Sequence, residues 1–348
     1  MELTSMIARA SEGHDLTAEE AESAFHEIMS GRATPVQTSA LLVALRTKGH
    51  APSEVAGGVR ALRRAMVPVE TVPGTTVVDT CGTGGGSVTT FNISTAAALV
   101  AAAAGVPIAK HGNRSFTSKS GSADVLEALG VEIQLTPGAM ARVLARVGIV
   151  FMFAPLLHPA MRHVGPVRRE LAIPTIMNVL GPLTNPAGVR RQVVGVSQPE
   201  LLPLLIRALE ELGHERALVV HGAPGMDEIS PLGPTRVAEL GPEGVSEYEI
   251  HPEDFGLSVP DRGELVGGLP EENARVIQGV ISGTDRGGAR TVTLLNAAAA
   301  LYVADAVDDL AEGLVRAGDV LDSGAARDTL ESLRRESALA AADESKEG

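Results

Sequence analysis

The sequence has few aromatic residues, no tryptophan and one cysteine. Six phenylalanines and two tyrosines are spread over 348 residues, so a core must be built mainly from alanine, leucine and valine. The single cysteine, Cys81, excludes a disulfide within the chain and is typical of a protein kept in a reducing cytosol. No base stands at a recognisable spacing from Cys81, so a small buried side chain is favoured over a nucleophile.

Long apolar runs and an excess of basic residues are also missing. No apolar run approaches the roughly 20 residues of a bilayer span, and the first residues lack a basic segment followed by an apolar one, so neither a membrane span nor a secretory signal is expected. The net charge is −14, and no basic stripe with interleaved aromatics is present. We therefore expect a cytoplasmic protein that binds neither nucleic acid nor membrane.

Lysine is rare, yet two of the four lysines lie close together. Lys110 and Lys119 share a polar segment with His111 and Arg114, whereas the other two lysines lie far from it in the sequence. Basic residues gathered in one loop of an acidic protein indicate a bound polyanion. A solvated loop is the alternative, but it explains this clustering less well.

A glycine-rich turn precedes that segment. Residues 75–78 are typical of a strand, and Asn92, Ser94 and Thr95 are typical of a helix start. Between them the four glycines are Gly82, Gly84, Gly85 and Gly86. A strand, a glycine loop and a helix can surround an anion with backbone N–H groups, although a tight turn without a ligand remains the alternative. Neither the dinucleotide fingerprint nor the P-loop pattern is present, so another kind of phosphate site is predicted.

Strand and helix patterns alternate through the middle of the chain. The first 70 residues are predicted to be helical, with helix starts at Thr17, Thr34 and Pro52. We expect a largely parallel sheet covered by helices, and a tail at 336–348 that frays. The predicted strands are 75–80, 106–110, 131–135, 149–154, 192–197 and 216–221, and the predicted helices are 93–104, 122–130, 137–147, 158–172 and 199–212. Residues 231–269 mix strand-like patches with turns, and helical patterns resume over 271–312 with a loop near 283–290.

The fold class predicted is therefore α/β with an N-terminal helical domain. Residues 1–72 form the small helical domain, completed by helices around 158–190, and residues 73–348 form the α/β domain. Asp227 and Glu228 follow the predicted strand 216–221, and adjacent carboxylates at a strand end suit Mg²⁺. A solvated turn is the alternative for such a dipeptide. Ligands of open sheets bind beyond the carboxyl ends of strands, where this pair, the glycine loop and the Lys110 loop can converge.

Several motifs together resemble the anthranilate phosphoribosyltransferase family. GTGG, FNIST, KHGNRS and SGSAD occur in that family's order between residues 82 and 124, followed by long matching segments at 158–186 and 221–230 and by LNAAAAL at 295–301. The resemblance implies transfer of a phosphoribosyl group from phosphoribosyl pyrophosphate to the amine of anthranilate, in tryptophan biosynthesis. It also implies a fold like that of nucleoside phosphorylases and a homodimer formed through the helical domain. At Gly86 the sequence departs from the family, because many members carry aspartate there.

The resemblance also implies which residues form the site. For phosphoribosyl pyrophosphate these are Gly82, Gly85, Gly86, Thr90, Asn92, Ile93, Ser94, Thr95, Lys110, His111, Gly112, Asn113, Arg114, Ser115, Phe116, Thr117, Ser118 and Ser122. Those for anthranilate are Gly82, Asn113 and Arg168, and those for two Mg²⁺ ions are Ser94, Asp227 and Glu228. His111 and His158 are candidates for lining the aromatic substrate's tunnel, and no residue is assigned as a general base.

Without the resemblance, simpler interpretations hold for some of these residues. Arg168 alone would be a surface arginine, and 92–95 alone would be a helix cap. A pyrimidine nucleoside phosphorylase is the alternative enzyme, because it shares the architecture. A catalytically silent relative that binds nucleic acid is the alternative from another class.

Overall fold

In the computed structural model, which describes residues 2–115 and 119–347, helices enclose a single seven-stranded sheet. The strands are β1 (Val78–Gly82), β2 (Ile108–Gly112), β3 (Ile149–Phe153), β4 (Arg191–Gly195), β5 (Arg216–Gly222), β6 (Thr235–Gly241) and β7 (Gly244–Ile250). The helices are α1 (Leu3–Ser11), α2 (Ala18–Met29), α3 (Pro35–Lys48), α4 (Pro52–Ala65), α5 (Ile93–Ala103), α6 (Ser122–Ala128), α7 (Pro137–Val147), α8 (Ala154–Leu157), α9 (Met161–Leu171), α10 (Met177–Leu180), α11 (Leu201–Glu211), α12 (Pro270–Ile281), α13 (Gly288–Val303), α14 (Leu310–Ser323) and α15 (Ala325–Glu347).

The N-terminal helices begin where the sequence predicts. Thr17 and Glu20 form a reciprocal capping box at α2, and Thr34 caps α3 ahead of a proline in the first turn. α2, α3 and α4 bury Phe25, Leu41 and other apolar side chains in a core that they share with α9 and α10. A helical unit is thus built from the start of the chain together with a later segment.

The sheet has the order β3-β2-β1-β4-β5-β6-β7, parallel from β3 to β5 and antiparallel at β6 and β7. Side chains alternate between its two faces: Val193 and Leu218 join the core beneath α5 and α13, whereas Val194 and Val219 join the core beneath α4 and α11. The predicted, largely parallel sheet is confirmed. The parallel strands end together at one edge, which brings the loops after β1, β2 and β5 to the same place.

Two local predictions were wrong. Residues 131–135 form no strand, although Val131 and Ile133 are buried, because their backbone does not reach a strand edge. The N–H of Val131 instead closes the end of α6, and the N–H of Glu132 donates to Ser337 Oγ of α15 (3.1 Å). The tail does not fray at 336, because α15 continues to Glu347 with Ser337 and Ala340 buried.

Other boundaries differ slightly from the prediction. β1 and β2 each begin two or three residues later than predicted and run as far as a glycine, Gly82 and Gly112. The mixed patches of 231–269 become the hairpin β6–β7 and two short 3₁₀ helices, Pro252–Phe255 and Arg262–Leu265. Among the residues described, no helix combines the length and the apolar character that a membrane span requires.

Candidate active site

The glycine loop after β1 and the carboxylate loop after β5 are joined by hydrogen bonds. The N–H of Gly84 donates to Asp227 Oδ2 (2.9 Å), and the N–H of Ser87 donates to the carbonyl of Gly225 (2.9 Å). Gly84 and Gly85 have φ of 71° and 81°, in the left-handed region that favours glycine. The loop conformation therefore requires glycine at both positions.

Glycines at the ends of three neighbouring strands let the carboxylate loop approach the sheet. Gly82 of β1 and Gly195 of β4 are paired in register, and Gly222 ends β5. A Cβ atom at Gly82 or Gly195 would overlap Asp227, and one at Gly222 would lie 2.5 Å from the carbonyl oxygen of Glu228. The carboxylate pair thus rests directly on the strand ends. The importance of Gly195 and Gly222 was not recognised from the sequence.

Glu228 reaches the start of α5. Its Oε1 accepts a hydrogen bond from the N–H of Ser94 (3.2 Å), whose Oγ accepts one from Lys110 Nζ (3.1 Å). Lys110 is only 3% exposed and also donates to the carbonyl of Thr80 (2.6 Å). This lysine therefore links β1, β2 and α5 below the site, rather than extending from the loop into solvent.

The electrostatics of the carboxylate pair favour a cation. Burial raises the pKa of Glu228 to about 8, with a further contribution from the charge of Asp227, and burial also raises the pKa of Asp227. Within the described parts of the chain, each carboxylate accepts a hydrogen bond from the N–H of one other residue and neither forms an ion pair. Two carboxylates and the hydroxyl of Ser94 are hard oxygen donors of the kind that Mg²⁺ binds. No group of three His, Cys, Asp or Glu residues suited to a metal occurs among the described residues, so waters or substrate oxygens would have to complete the coordination.

A partly buried network of hydrogen bonds holds Asn92, the residue before α5. Asn92 Nδ2 donates to the carbonyl of Ser120 (3.1 Å), and Asn92 Oδ1 accepts hydrogen bonds from Ser120 Oγ (3.1 Å) and from Asn273 Nδ2 (2.8 Å). Asn273 in turn accepts a hydrogen bond from the N–H of Gly268 (2.7 Å). The network joins α5, α12 and the end of the second loop, and Asn273 carried no signal in the sequence analysis.

The second loop follows β2. Arg114 forms ion pairs with Asp124 (3.0 Å) and Glu127 (2.5 Å), so its charge already has protein partners. The N–H groups of Ser115 and Gly121 both donate to Asp124 Oδ2. Phe116, Thr117 and Ser118, which were predicted to bind phosphoribosyl pyrophosphate, lie outside the described residues.

A cavity of about 410 Å³ lies beside this loop. Its polar lining includes Asn113 and Arg168, and Leu62, Met161 and Met177 contribute apolar surface. Within the described parts of the chain the Arg168 guanidinium has no hydrogen-bond or ion-pair partner, and burial lowers its pKa. A partly buried, unpaired arginine is suited to a ligand that carries a carboxylate or phosphate.

Two histidines complete the cavity wall. His111 Nε2 and His158 Nε2 are 3.1 Å apart, and burial lowers their pKa values to about 3 and about 4. Both rings are therefore neutral at pH 7, with one N–H shared between the two nitrogens. The cavity thus places two arginines among neutral polar and apolar side chains: Arg168, and Arg162, whose Nε donates to His163 Nε2 (3.2 Å).

The whole chain is similar to known transferases. Residues 4–66 match the helical bundle domain of a glycosyl transferase family, and residues 74–327 match the α/β domain of that family. Anthranilate phosphoribosyltransferase from Rubrobacter xylanophilus is 54% identical over 333 residues, covering 96% of this chain and 97% of the relative. The enzyme from Thermomicrobium roseum is 52% identical, covering 95% of both chains. The chain belongs to the anthranilate phosphoribosyltransferase family.

Solved structures of anthranilate phosphoribosyltransferases share the fold. The crystal structure from Thermus thermophilus has a TM-score of 0.90 and 43% identity, covering 95% of this chain and 99% of that chain. The Saccharomyces cerevisiae enzyme in complex with phosphoribosyl pyrophosphate and Mg has a TM-score of 0.87 and 28% identity, covering 97% and 98%. The resemblance read from the motifs and the predicted fold class are confirmed.

Most residues predicted for the anthranilate phosphoribosyltransferase site lie near one another. The glycine loop, the start of α5, the beginning of the second loop and the carboxylate pair meet at the strand ends, and Asn113 and Arg168 line the adjoining cavity. The side chains of Ile93 and Thr95 are buried. Gly82 lies beneath Asp227 and does not line the cavity. Burial raises the pKa of the Cys81 thiol, which agrees with the prediction that it is no nucleophile.

Proposed function

We propose that this enzyme transfers the phosphoribosyl group of phosphoribosyl pyrophosphate to the amine of anthranilate. The products are N-(5-phosphoribosyl)anthranilate and pyrophosphate, in tryptophan biosynthesis. The observation that carries this assignment is that two unlike sites adjoin at the end of β2. Lys110 contacts the carboxylate side through Ser94, and three residues later Asn113 lines the cavity with its unpaired Arg168.

We assign the phosphoribosyl pyrophosphate site to the strand-end loops. Gly85 and Gly86 offer backbone N–H groups, and Ser94 at the start of α5 offers a hydroxyl next to the carboxylates. The full assignment, which extends to the second loop, is Gly82, Gly85, Gly86, Thr90, 92–95, 110–118 and Ser122. Asn113 and Arg168 of the cavity are assigned to anthranilate, and so is Gly82, which lies at the end of β1 beneath Asp227 and would contact the substrate from outside the cavity.

Mg²⁺ is the metal that this donor set and the yeast complex favour. We propose two ions per subunit, one held by Ser94 and Glu228 and one by Asp227 and Glu228. When bound, Mg²⁺ neutralises negative charge on the pyrophosphate leaving group.

The chain's own residues bring the two substrates together. Arg168 would hold the anthranilate carboxylate with two parallel hydrogen bonds, which orients the amine toward the strand-end site. Apolar lining from Leu62 and Met177 limits water around the weakly nucleophilic amine. The neutral His111–His158 pair adds no charge that would compete with Arg168 for the carboxylate.

We propose a homodimer formed through the helical domain, comprising residues 1–72 and helices around 158–190, with the α/β domain at 73–348. Val36 of α3 is 78% exposed, and Val43 lies two turns along the same face. Ile173, which follows α9, is also exposed, and Arg46 of α3 donates to the carbonyl of Pro174. Exposed apolar side chains on one unit support an interface there. A cytoplasmic location is proposed from the single cysteine and the biosynthetic reaction.

A coupled assay for released pyrophosphate tests the function. We expect release that depends on both anthranilate and Mg²⁺. Phosphate-dependent cleavage of a pyrimidine nucleoside, without anthranilate-dependent release, would favour the phosphorylase instead. A gel-shift experiment with DNA tests the nucleic-acid alternative, and no shift is expected at a net charge of −14.

Mg²⁺ dependence should vary with pH. Because burial raises the pKa of Glu228 to about 8, a cation must displace a proton from this carboxylate at lower pH. We expect the Mg²⁺ concentration for half-maximal rate to fall by up to about tenfold per pH unit from 6 to 8, and then to level off. Initial rates at fixed substrate check this, and Glu228→Gln should have a flatter profile. An unchanged Mg²⁺ requirement across this range would contradict the assigned role of Glu228.

The departure at Gly86 gives a further prediction. Gly86 lies outside the left-handed region, and a Cβ atom there would be 3.0 Å from the carbonyl oxygen of Gly225 and 3.3 Å from Asp227 Oδ1. Gly86→Asp would place a third carboxylate beside the pair and strengthen binding of an extra cation by about 1 kcal/mol, or roughly fivefold. We expect inhibition by excess Mg²⁺ at concentrations about fivefold lower than in the wild type.

The control for this experiment is Gly86→Asn, which has the same shape without the charge. Rates over a Mg²⁺ series, with melting temperatures, separate packing strain from a metal effect. Equal Mg²⁺ profiles for the aspartate and asparagine variants would show that position 86 does not sense the metal.

A further inference from the structure

Asn296 is the polar residue in the LNAAAAL motif of α13, and the function proposed above gives it no role. It is 3% exposed and makes three hydrogen bonds. Its Oδ1 accepts from the N–H of Ile229 (2.9 Å), and its Nδ2 donates to the carbonyls of Ile229 (3.0 Å) and Val292 (2.9 Å). One side-chain amide therefore satisfies both backbone groups of the residue that follows Glu228.

The carboxylate segment has little other backbone support. Within the described parts of the chain, no backbone-to-backbone hydrogen bond involves Asp227, Glu228 or Ile229. The residues on either side are held differently: the N–H of Met226 bonds to Gly222 (2.7 Å), and the N–H of Ser230 bonds to Thr235 Oγ1 (2.9 Å). The hydrogen bonds from the Asn296 amide therefore fix the backbone between Met226 and Ser230.

The alanines that follow Asn296 in the motif pack α13 against α5, the helix that carries Ser94. Residues 297–300 are four fully buried alanines, and α13 packs against α5, which is itself rich in alanine. Small side chains allow two helices to approach closely. α5 carries Ser94 at its start, so α13 contacts both the segment with Glu228 and the helix whose N–H binds Glu228.

We propose that Asn296 is a positioning residue for the transfer reaction, which holds Asp227 and Glu228 in the arrangement that binds the metal. This role rests on the proposed metal function of that pair. Asn296 touches neither a substrate nor the metal in this arrangement, and it acts through the backbone of Ile229. Loss of residues that orient metal ligands typically lowers metal affinity or activity by about 10- to 100-fold.

The variant Asn296→Ser tests the bond selectively. A serine in α13 can donate to the carbonyl four residues earlier, as Thr293 does to Ala289 (2.8 Å), so only the two bonds to Ile229 are lost. Thr293→Val is the matched control, because Thr293 is equally buried on the same helix and its one bond lies within that helix. Circular dichroism melts show whether each variant is folded.

The readout is binding of Mn²⁺ in the presence of inorganic pyrophosphate, followed by electron paramagnetic resonance. We expect Asn296→Ser to weaken Mn²⁺ binding by about tenfold or more, with an anthranilate KM at saturating metal within about twofold of the wild type. Thr293→Val should change neither. Normal Mn²⁺ binding in Asn296→Ser, or equal weakening in both variants, would overturn the positioning role. Wild-type protein that binds no Mn²⁺ would overturn the metal assignment itself.

Hydrogen exchange tests the role of Asn296 in the wild-type protein alone, without metal and without any substitution. In the metal-free wild type, the Ile229 N–H should exchange at least about tenfold more slowly than those of Asp227 and Glu228, because it donates to the amide oxygen of Asn296, a residue that is 3% exposed and fixed on α13. Exchange at the same rate for all three would overturn the role of Asn296, whatever the metal experiments show.

Discussion

Replacing Asp227 with asparagine and Glu228 with glutamine together is expected to lower kcat on the order of a thousandfold. The two substitutions remove every carboxylate assigned to the metal while keeping the shape of the side chains. Removing a single group that stabilises charge in a transition state costs about 100- to 1,000-fold, and here the negative leaving group would lose its counter-charge. Steady-state rates over a Mg²⁺ series measure the loss.

The same double variant should be at least as stable as the wild type in the absence of metal. Burial raises the pKa of both carboxyls, so their contribution to stability is fully present below the unfolded-state pKa and is lost as pH rises through the folded value, about 8 for Glu228. At pH 8 and above the wild type must bury ionised carboxylates, which lowers its stability. The neutral amides of the variant avoid this cost, so its melting temperature should not be lower than that of the wild type. Glu243→Gln with Glu247→Gln, two exposed glutamates of the β6–β7 hairpin, is the control for lost charge alone. Near-normal turnover in the Asp227 and Glu228 variant would disprove the metal site.

Arg168→Ala is expected to raise the anthranilate KM by about tenfold to a hundredfold, with a smaller effect on phosphoribosyl pyrophosphate. Loss of a hydrogen bond to a charged group costs about 1.5–3 kcal/mol, and this guanidinium has no protein partner within the described parts of the chain. The effect of Arg168→Ala would therefore come from the lost contact with the ligand, because the substitution breaks no ion pair among the described residues. Arg168→Lys keeps the charge without the planar fork and should recover only part of the affinity.

Arg169→Ala is the matched control, because Arg169 is the exposed neighbour on the same helix. Steady-state kinetics with each substrate varied in turn provide the comparison. If only the KM for phosphoribosyl pyrophosphate rises, Arg168 belongs to the phosphate site, and the carboxylate of anthranilate is bound elsewhere.

Signals that are local in sequence predicted much of this fold. Thr17 and Thr34 mark helix starts because each threonine side chain accepts a hydrogen bond from the N–H three residues later. That reciprocal capping bond forms only in the geometry of a helix N-terminus. The glycines at 84 and 85 mark a loop because their φ values require them. Parallel strands then bring the loops after β1, β2 and β5 together, since their carboxyl ends lie at one edge.

Features that depend on distant partners were not predictable in this way. The alternation of Val131, Ile133 and Leu135 reports burial but not a neighbouring strand, and α15 covers this segment instead. Lys110 suggested an exposed loop cation, yet its ammonium group is bonded to residues of β1 and α5. Asn296 meets Ile229 across 67 residues of sequence, and no spacing rule connects an amide on a late helix to a loop after an earlier strand.

The glycines at the ends of β1, β4 and β5 limit how this catalytic centre can change over evolutionary time. Gly82, Gly195 and Gly222 leave no space for even a methyl group between the strand ends and the loop that carries the carboxylates. A substitution at any of these glycines cannot shift the carboxylate loop gradually, because even a Cβ atom would overlap the loop and displace it. New substrate preferences must therefore arise in the cavity around Arg168, where side chains of graded size such as Leu62 and Met177 form the wall. The fold thus separates a part of the site that is fixed by backbone contact from a part that selection can alter gradually.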